Sequence, residues 1–286
     1  MNKTICKPFV LLMGLFFAPL PVFSNGGALE PPPGGPAPSM RTLDDIADAA
    51  EAGADPRVKI DAIPFVIHEP GSYVLTQNVQ ITEEDIDGIV ITTDNVTLDL
   101  NGFTMLGPGD FLGTGRGIRV VDDRKNITIK NGMINDWGTQ GIFARFCSNV
   151  SFQNLDLTAN GGTGIVAGSG SMIKNVRSSG NMGYGVQMSE GEGGVMTNVV
   201  TTHNLWAGIF AREAVITRSV ASDNGQHGIF NPEGVINNSV ANHNALYGFS
   251  LGTFPGVIAF SSATGNQSGA ANAENATLTG NTFTNN

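Results

Sequence analysis

The sequence predicts an all-β solenoid: a right-handed parallel β-helix with three strands per coil and roughly nine coils, preceded by a short N-terminal capping helix. Three observations predict it. An asparagine followed four places later by glycine recurs at Asn160/Gly164, Asn181/Gly185, Asn204/Gly208, Asn224/Gly228 and Asn244/Gly248. The glycines continue upstream through Gly117 and Gly141 at steps of 24, 23, 21, 23, 20 and 20 residues, each followed by Ile, Val or Phe. Between them Val, Ile, Thr and Ser alternate with period two, which suits strands and not the Leu-x-x-Leu-x-Leu frame of a leucine-rich horseshoe. A repeat this short cannot bury its own apolar face, so the coils must stack.

Residues 1–24 read as a secretory signal. Lys3 and Lys7 form a basic start, Phe9 to Leu20 an apolar run, and Val22-Phe23-Ser24 a small-residue cleavage pattern. The run falls short of the ~20 residues that a membrane span needs. Residues 25–40 are rich in Pro and Gly and read as a tether. Residues 41–87 read as an N-terminal cap: Leu43, Ile46, Ala47 and Ala50 at helical spacing between Thr42 and Gly53, then strands with alternating Phe65, Ile67, Tyr73 and Leu75. The β-helix is expected over 88–286. This layout predicts a secreted or periplasmic protein with no membrane span after signal removal.

Within a coil the sequence assigns jobs to the two repeated residues. The asparagines are expected to stack as side-chain amides, each bonded to the coils on either side. The glycines are expected to turn the chain back into a strand with φ above zero.

Loss of Lys3 and Lys7 with the leader leaves 13 basic residues against 25 acidic ones, a formal charge of −12. That balance excludes nucleic acid as a partner, since phosphate binding needs clustered Lys and Arg. Cys6 leaves with the leader, so Cys147 has no disulfide partner within the chain and reads as a core thiol.

Particular segments carry a resemblance. They are Ile63-Pro-Phe-Val-Ile-His-Glu-Pro-Gly-Ser-Tyr-Val-Leu-Thr, Gly88-Ile-Val-Ile, Asn95-Val-Thr-Leu-Asp-Leu-Asn-Gly-Phe-Thr, Lys125-Asn-Ile-Thr-Ile-Lys-Asn-Gly and Trp137-Gly-Thr-Gln-Gly-Ile. From about residue 55 onward the chain resembles the secreted bacterial β-helix repeat proteins of the pectin-lyase-like superfamily. The resemblance implies the fold, and it implies polysaccharide lyases, glycoside hydrolases, sugar epimerases or inactive coils as the range of activities. The signatures of active members are incomplete here. Asp122-Asp123 and His227-Gly228 lie several coils apart, and Tyr247-Gly248-Phe249-Ser250 starts like an epimerase segment but lacks its acid and histidine.

Aligning the coils on their glycines brings surface candidates together. The residue before each asparagine reads Ala159, Gly180, His203, Asp223, His243, which places an aspartate between two histidines at a coil spacing of ~4.8 Å. His203, Asp223 and His243, with His227 nearby, are the candidate acid/base residues, or a polar turn column facing water. A divalent cation is compatible with them; the sequence requires no cofactor. The second residue after each glycine gives Phe210 and Phe230 on adjacent coils, with Arg145, Arg212 and Tyr247 close by, a set suited to sugar rings or carboxylated saccharides if it faces outward. Two functions are therefore expected: an exported protein that binds a polysaccharide on its lateral face, with or without lyase or hydrolase activity, or a non-catalytic surface, matrix or adhesion scaffold. Self-association through the C-terminal edge strand is a further expectation.

Overall fold

The computed structural model describes residues 55–109, 111–188 and 193–284. The expected signal, tether and capping helix all lie outside the described residues. The described part is a parallel β-solenoid of ten turns. One sheet holds the ten strands that follow the coil glycines, from Phe65–Ile67 through Ile165–Ala167 and Ile209–Phe210 to Gly269–Ala273. The other sheet has 17 strands in two arms, with a bend between them. In the middle coils one strand runs through both arms, as in Ser148–Thr158; later coils split it, as in Val215–Thr217 and Val220–Ser222.

The ladders begin earlier than Gly88. Val58–Ile60 pairs with Gly71–Leu75, and Phe65–Ile67 with Ile89–Ile91, all parallel. Residues 58–80 thus belong to the solenoid and supply the turn that raises the expected nine to ten. The irregular loop before Gly88, with its run of acidic residues, hides this register in the sequence.

The core follows from strand alternation repeated coil upon coil. Ile142, Ile165, Val186, Ile209, Ile229 and Phe249 are consecutive register partners, and each is 0% exposed. β-Branched and aromatic residues suit such a stacked, close-packed interior.

Buried amides close the corner before the lateral sheet. The Nδ2 groups of Asn160, Asn181, Asn204, Asn224 and Asn244 donate at 2.9–3.0 Å to Oδ1 of the asparagine one coil on, ending at Asn266. The same oxygens accept the backbone N–H groups of the preceding asparagines, and Trp137 N–H donates to Asn160 Oδ1 at 3.2 Å to start the series. All six asparagines are at most 2% exposed, so each bond replaces one that water cannot supply.

The glycine reading needs correction. Gly164, Gly185, Gly208, Gly228 and Gly248 are not among the positive-φ residues; that conformation belongs to the residue before each asparagine, at Ala159, Gly180, His203, Asp223 and His243. Glycine is required by close approach instead. A Cβ on Gly208 would lie 2.3 Å from Thr201 Oγ1 and 2.7 Å from Asn224 Nδ2, and one on Gly228 would lie 2.6 Å from the Gly248 carbonyl oxygen.

Two further asparagine ladders cross the outer surface. Asn126 Nδ2 donates to Asn95 Oδ1 and Asn149 Nδ2 to Asn126 Oδ1, at 2.9 and 2.7 Å. At the bend between the arms, Asn198, Asn175, Asn154 and Asn131 each donate back one coil, and the series ends on Asp99. All these asparagines have φ between 52° and 60°, a conformation that asparagine tolerates better than most residues. From Ser219 onward the buried side of this bend is served by serine: Ser219 N–H donates to Ser239 Oγ, Ser239 N–H to Ser261 Oγ, and Ser261 N–H to Asn281 Oδ1.

Candidate functional site

Strand alternation puts Ile209 and Ile229 inside, both 0% exposed, and turns Phe210 and Phe230 outward on the lateral face. Their rings stack with centroids 5.1 Å apart and an interplanar angle of 11°. The stack extends in both directions. Tyr184 lies 4.9 Å from Phe210 and 4.9 Å from Trp206; His227 lies 5.6 Å from Phe230 and 5.9 Å from Tyr247, nearly parallel to the tyrosine ring at 13°. Trp206, Tyr184, Phe210, Phe230, His227 and Tyr247 thus form one continuous strip of rings. Trp206 is 44% exposed and the others are half-buried.

The strip arises from two repeated positions. Tyr184, His227 and Tyr247 each precede a coil glycine, and Phe210 and Phe230 each stand two places after one. Strict register carries the two columns up the same face, Phe210 opposite Phe230 and Ile209 opposite Ile229. Tyr184 and Trp206 were not among the sequence candidates; the position before the glycine was the signal that marks Tyr184.

His227 is built into this strip as a neutral imidazole. Its Nδ1 accepts the Tyr247 backbone N–H at 3.4 Å, which leaves the proton on Nε2. Burial pushes its pKa below the ordinary value. Burial likewise raises the pKa of the Tyr184 hydroxyl, so that group is a neutral hydrogen-bonding partner.

Next to the strip is a groove of about 270 Å³ lined by Gln140, Phe143, Arg145, Thr163, Gln187 and Trp206, among others. Beside it the Arg116 guanidinium sits 4.6 Å over the Phe143 ring and donates from Nε to Gln140 Oε1 at 3.0 Å, and both Arg116 and Arg119 face the Asp87 carboxylate. Arg145 lines the groove, with its guanidinium 5.1 Å from the Phe146 ring.

Arg212 is placed differently. It donates to Glu233 at 2.5 Å, lies 3.7 Å from Glu213 and sits over Phe254, so its charge is already matched by carboxylates. His203, Asp223 and His243 do form one column, at the exposed corner where φ is 54° to 57°. His243 Nδ1 is 3.9 Å from Asp223 Oδ1, with both side chains largely in water, and the His243 ring lies over Gly265. Among the described residues no three His, Cys, Asp or Glu side chains are arranged to hold a metal ion. Cys147 is buried, donates to the Val121 carbonyl at 3.4 Å, and its pKa is pushed up to about 11 by that burial.

With this geometry in view, known proteins supply a comparison. The family described as "Right handed beta helix region" matches residues 65–211 and 116–286. The chain belongs to that family. No curated protein sequence matches this β-helix. Among solved structures it is similar to the A-module of the Azotobacter vinelandii mannuronan C-5 epimerase AlgE4, with 15% identity and a TM-score of 0.54 over 82% of this chain and 88% of that one. It is similar to the periplasmic alginate epimerase AlgG, with 13% identity and a TM-score of 0.56 over 74% and 69%. The Dettilon tailspike protein matches at 12% identity and a TM-score of 0.56 over 83% of this chain and 56% of that one. At these identities the likeness is one of fold. No helix among the described residues is long and apolar enough to cross a membrane.

Proposed function

We propose that this β-helix is exported and binds a polysaccharide along its lateral face, with sugar rings lying on the strip from Trp206 to Tyr247. The observation that carries this reading is the unbroken run of six outward rings with centroids 4.9–5.9 Å apart. Flat apolar rings with polar edges suit the C–H faces of pyranoses. The strip rises through four coils, about 14 Å at the coil spacing, which is the reach of a short oligosaccharide. Gln140, Thr163, Gln187 and Arg145 edge the adjoining groove with hydrogen-bonding groups. The names of two similar structures, a mannuronan epimerase and an alginate epimerase, are in keeping with a polymeric sugar.

Binding does not require turnover. A lyase or hydrolase step would draw its acid/base groups from His227 within the strip or from the Asp223–His243 pair on the neighbouring corner. The solvent-exposed setting of that pair favours the alternative of a scaffold that holds the polymer without cleaving it.

The test is affinity electrophoresis of the mature chain through gels containing plant, algal or bacterial polysaccharides, with product release followed in parallel. Retardation by at least one polymer, reduced by Phe230→Ala, is expected. Unretarded migration in every gel would overturn the proposal.

A further inference from the structure

Charge is absent from the ring strip and from the surface beside it. On the strip's coils the outward positions are Tyr184, Gln187, Phe210, His227, Phe230 and Tyr247, and His227 is neutral. The spacers between asparagine and glycine that run beside them, residues 182–184, 205–207, 225–227 and 245–247, also lack any acid, lysine or arginine. They expose apolar groups instead: Met182 by 43%, Leu205 by 52%, Trp206 by 44% and Leu246 by 37%. This apron stands out in a chain with 15 basic and 25 acidic residues, and an exposed apolar patch of this kind marks a contact surface.

The nearest cations are already matched. Arg212 lies 2.5 Å from Glu233 and 3.7 Å from Glu213. Arg116 and Arg119 share the Asp87 carboxylate, and the loop that carries Asp87 adds Glu83, Glu84 and Asp85, all exposed. Among the described residues Arg145 is the one charged side chain that lines the adjoining groove. It belongs to the coil of Gly141, three coils before that of Phe210, and its guanidinium is set against the Phe146 ring.

Resting on the lateral-face reading above, we infer that the polymer seated on this strip is a neutral polysaccharide, whose units carry hydroxyl groups but no carboxylate or sulfate. Two physical arguments select that class. An anionic group laid on these rings and aliphatic side chains would give up water without gaining a cation, whereas hydroxyl groups can bond to the Gln187 and Gln226 amides and to the tyrosine hydroxyls, or stay in water. A formal net charge of −10 also repels a polyanion as it approaches and leaves a neutral polymer unaffected.

The experiment is depletion of the mature chain from solution by beads bearing galactomannan, xyloglucan or dextran, compared with beads bearing polygalacturonate or alginate, at ~0.02 M and ~0.5 M salt. At least one neutral polymer is expected to bind with an apparent Kd about tenfold or more below that of either uronate polymer. That affinity should be the same at both salt concentrations and should fall in Trp206→Ala and in Phe230→Ala. A polyuronate bound as tightly as the best neutral polymer, or binding to the neutral polymer that weakens on adding salt, would overturn the inference while leaving the strip as the binding face. Depletion by no bead would overturn the lateral-face reading itself, and the choice of sugar with it.

Discussion

Replacing Asn204 by alanine removes one rung of the buried amide ladder, and its cost can be worked out bond by bond. Asn204 Nδ2 donates to the Ser178 carbonyl and to Asn224 Oδ1, both at 3.0 Å. Its Oδ1 accepts Asn181 N–H at 3.2 Å and Asn181 Nδ2 at 2.9 Å. After substitution Asn224 Oδ1 keeps the Asn204 backbone N–H, and Asn181 Nδ2 keeps Ser178 Oγ. The Asn181 backbone N–H, in a residue only 1% exposed, loses its acceptor. An orphaned buried donor costs ~1–3 kcal/mol, and loss of the other bonds brings the expected destabilisation to about 3 kcal/mol. Urea unfolding of Asn204→Ala measures the total, and amide hydrogen exchange at Asn181 locates it. Asn198→Ala, on the exposed ladder where water can substitute, should cost well under ~1 kcal/mol. Equal losses in the two variants, or no faster exchange at Asn181, would refute the assignment of the buried ladder as the corner's main support.

The remaining predictions concern other positions. Gly208→Ala, whose Cβ would meet Thr201 Oγ1 at 2.3 Å, should destabilise by about 3 kcal/mol, whereas Gly170→Ala, with φ of 65° and open space around it, should cost only ~1–2 kcal/mol; thermal melts compare them. His227 has a depressed folded pKa, so the unfolded chain takes up its proton first as pH falls below about 6.5; stability is full above that value and declines below it, and His227→Gln should flatten the decline in melts from pH 7 to 5. Cys147, buried and with its pKa raised to about 11, should resist alkylation at pH 8 in the folded protein and react once it is unfolded, as read by mass spectrometry.

Periodicity made the fold and the buried asparagine column legible, because one coil constrains the next and the same residue type must recur wherever a corner is dry. Space was not legible in the same way. Glycine at 208 or 228 is equally compatible with a positive φ or with a crowded approach, and only the neighbouring Thr201 hydroxyl and Gly248 carbonyl distinguish them. The outer ladders were hidden because Asn131, Asn154, Asn175 and Asn198 lie inside continuous strands, where their left-handed φ makes no break in the apolar alternation. Phe210, Phe230, His227 and Tyr247 could be found by aligning glycines. Trp206 is the middle residue of the spacer between Asn204 and Gly208, where the other coils carry Gly162, Gly183, Gln226 and Leu246, so no repeat marks it. Arg212 illustrates the remaining gap: its carboxylate partner Glu233 is 21 residues away, and pairing on that rim depends on rotamers.

The most direct measurement of the lateral-face assignment uses tryptophan fluorescence. The chain has two tryptophans, Trp137, which is 0% exposed, and Trp206, which is 44% exposed at the end of the ring strip. Titration with the polysaccharide that retards the protein should change the emission of the wild-type chain saturably, and Trp206→Phe should abolish that change while leaving the Trp137 signal in place. Emission that stays constant on binding, or a change that persists in Trp206→Phe, would contradict a polymer seated on this strip.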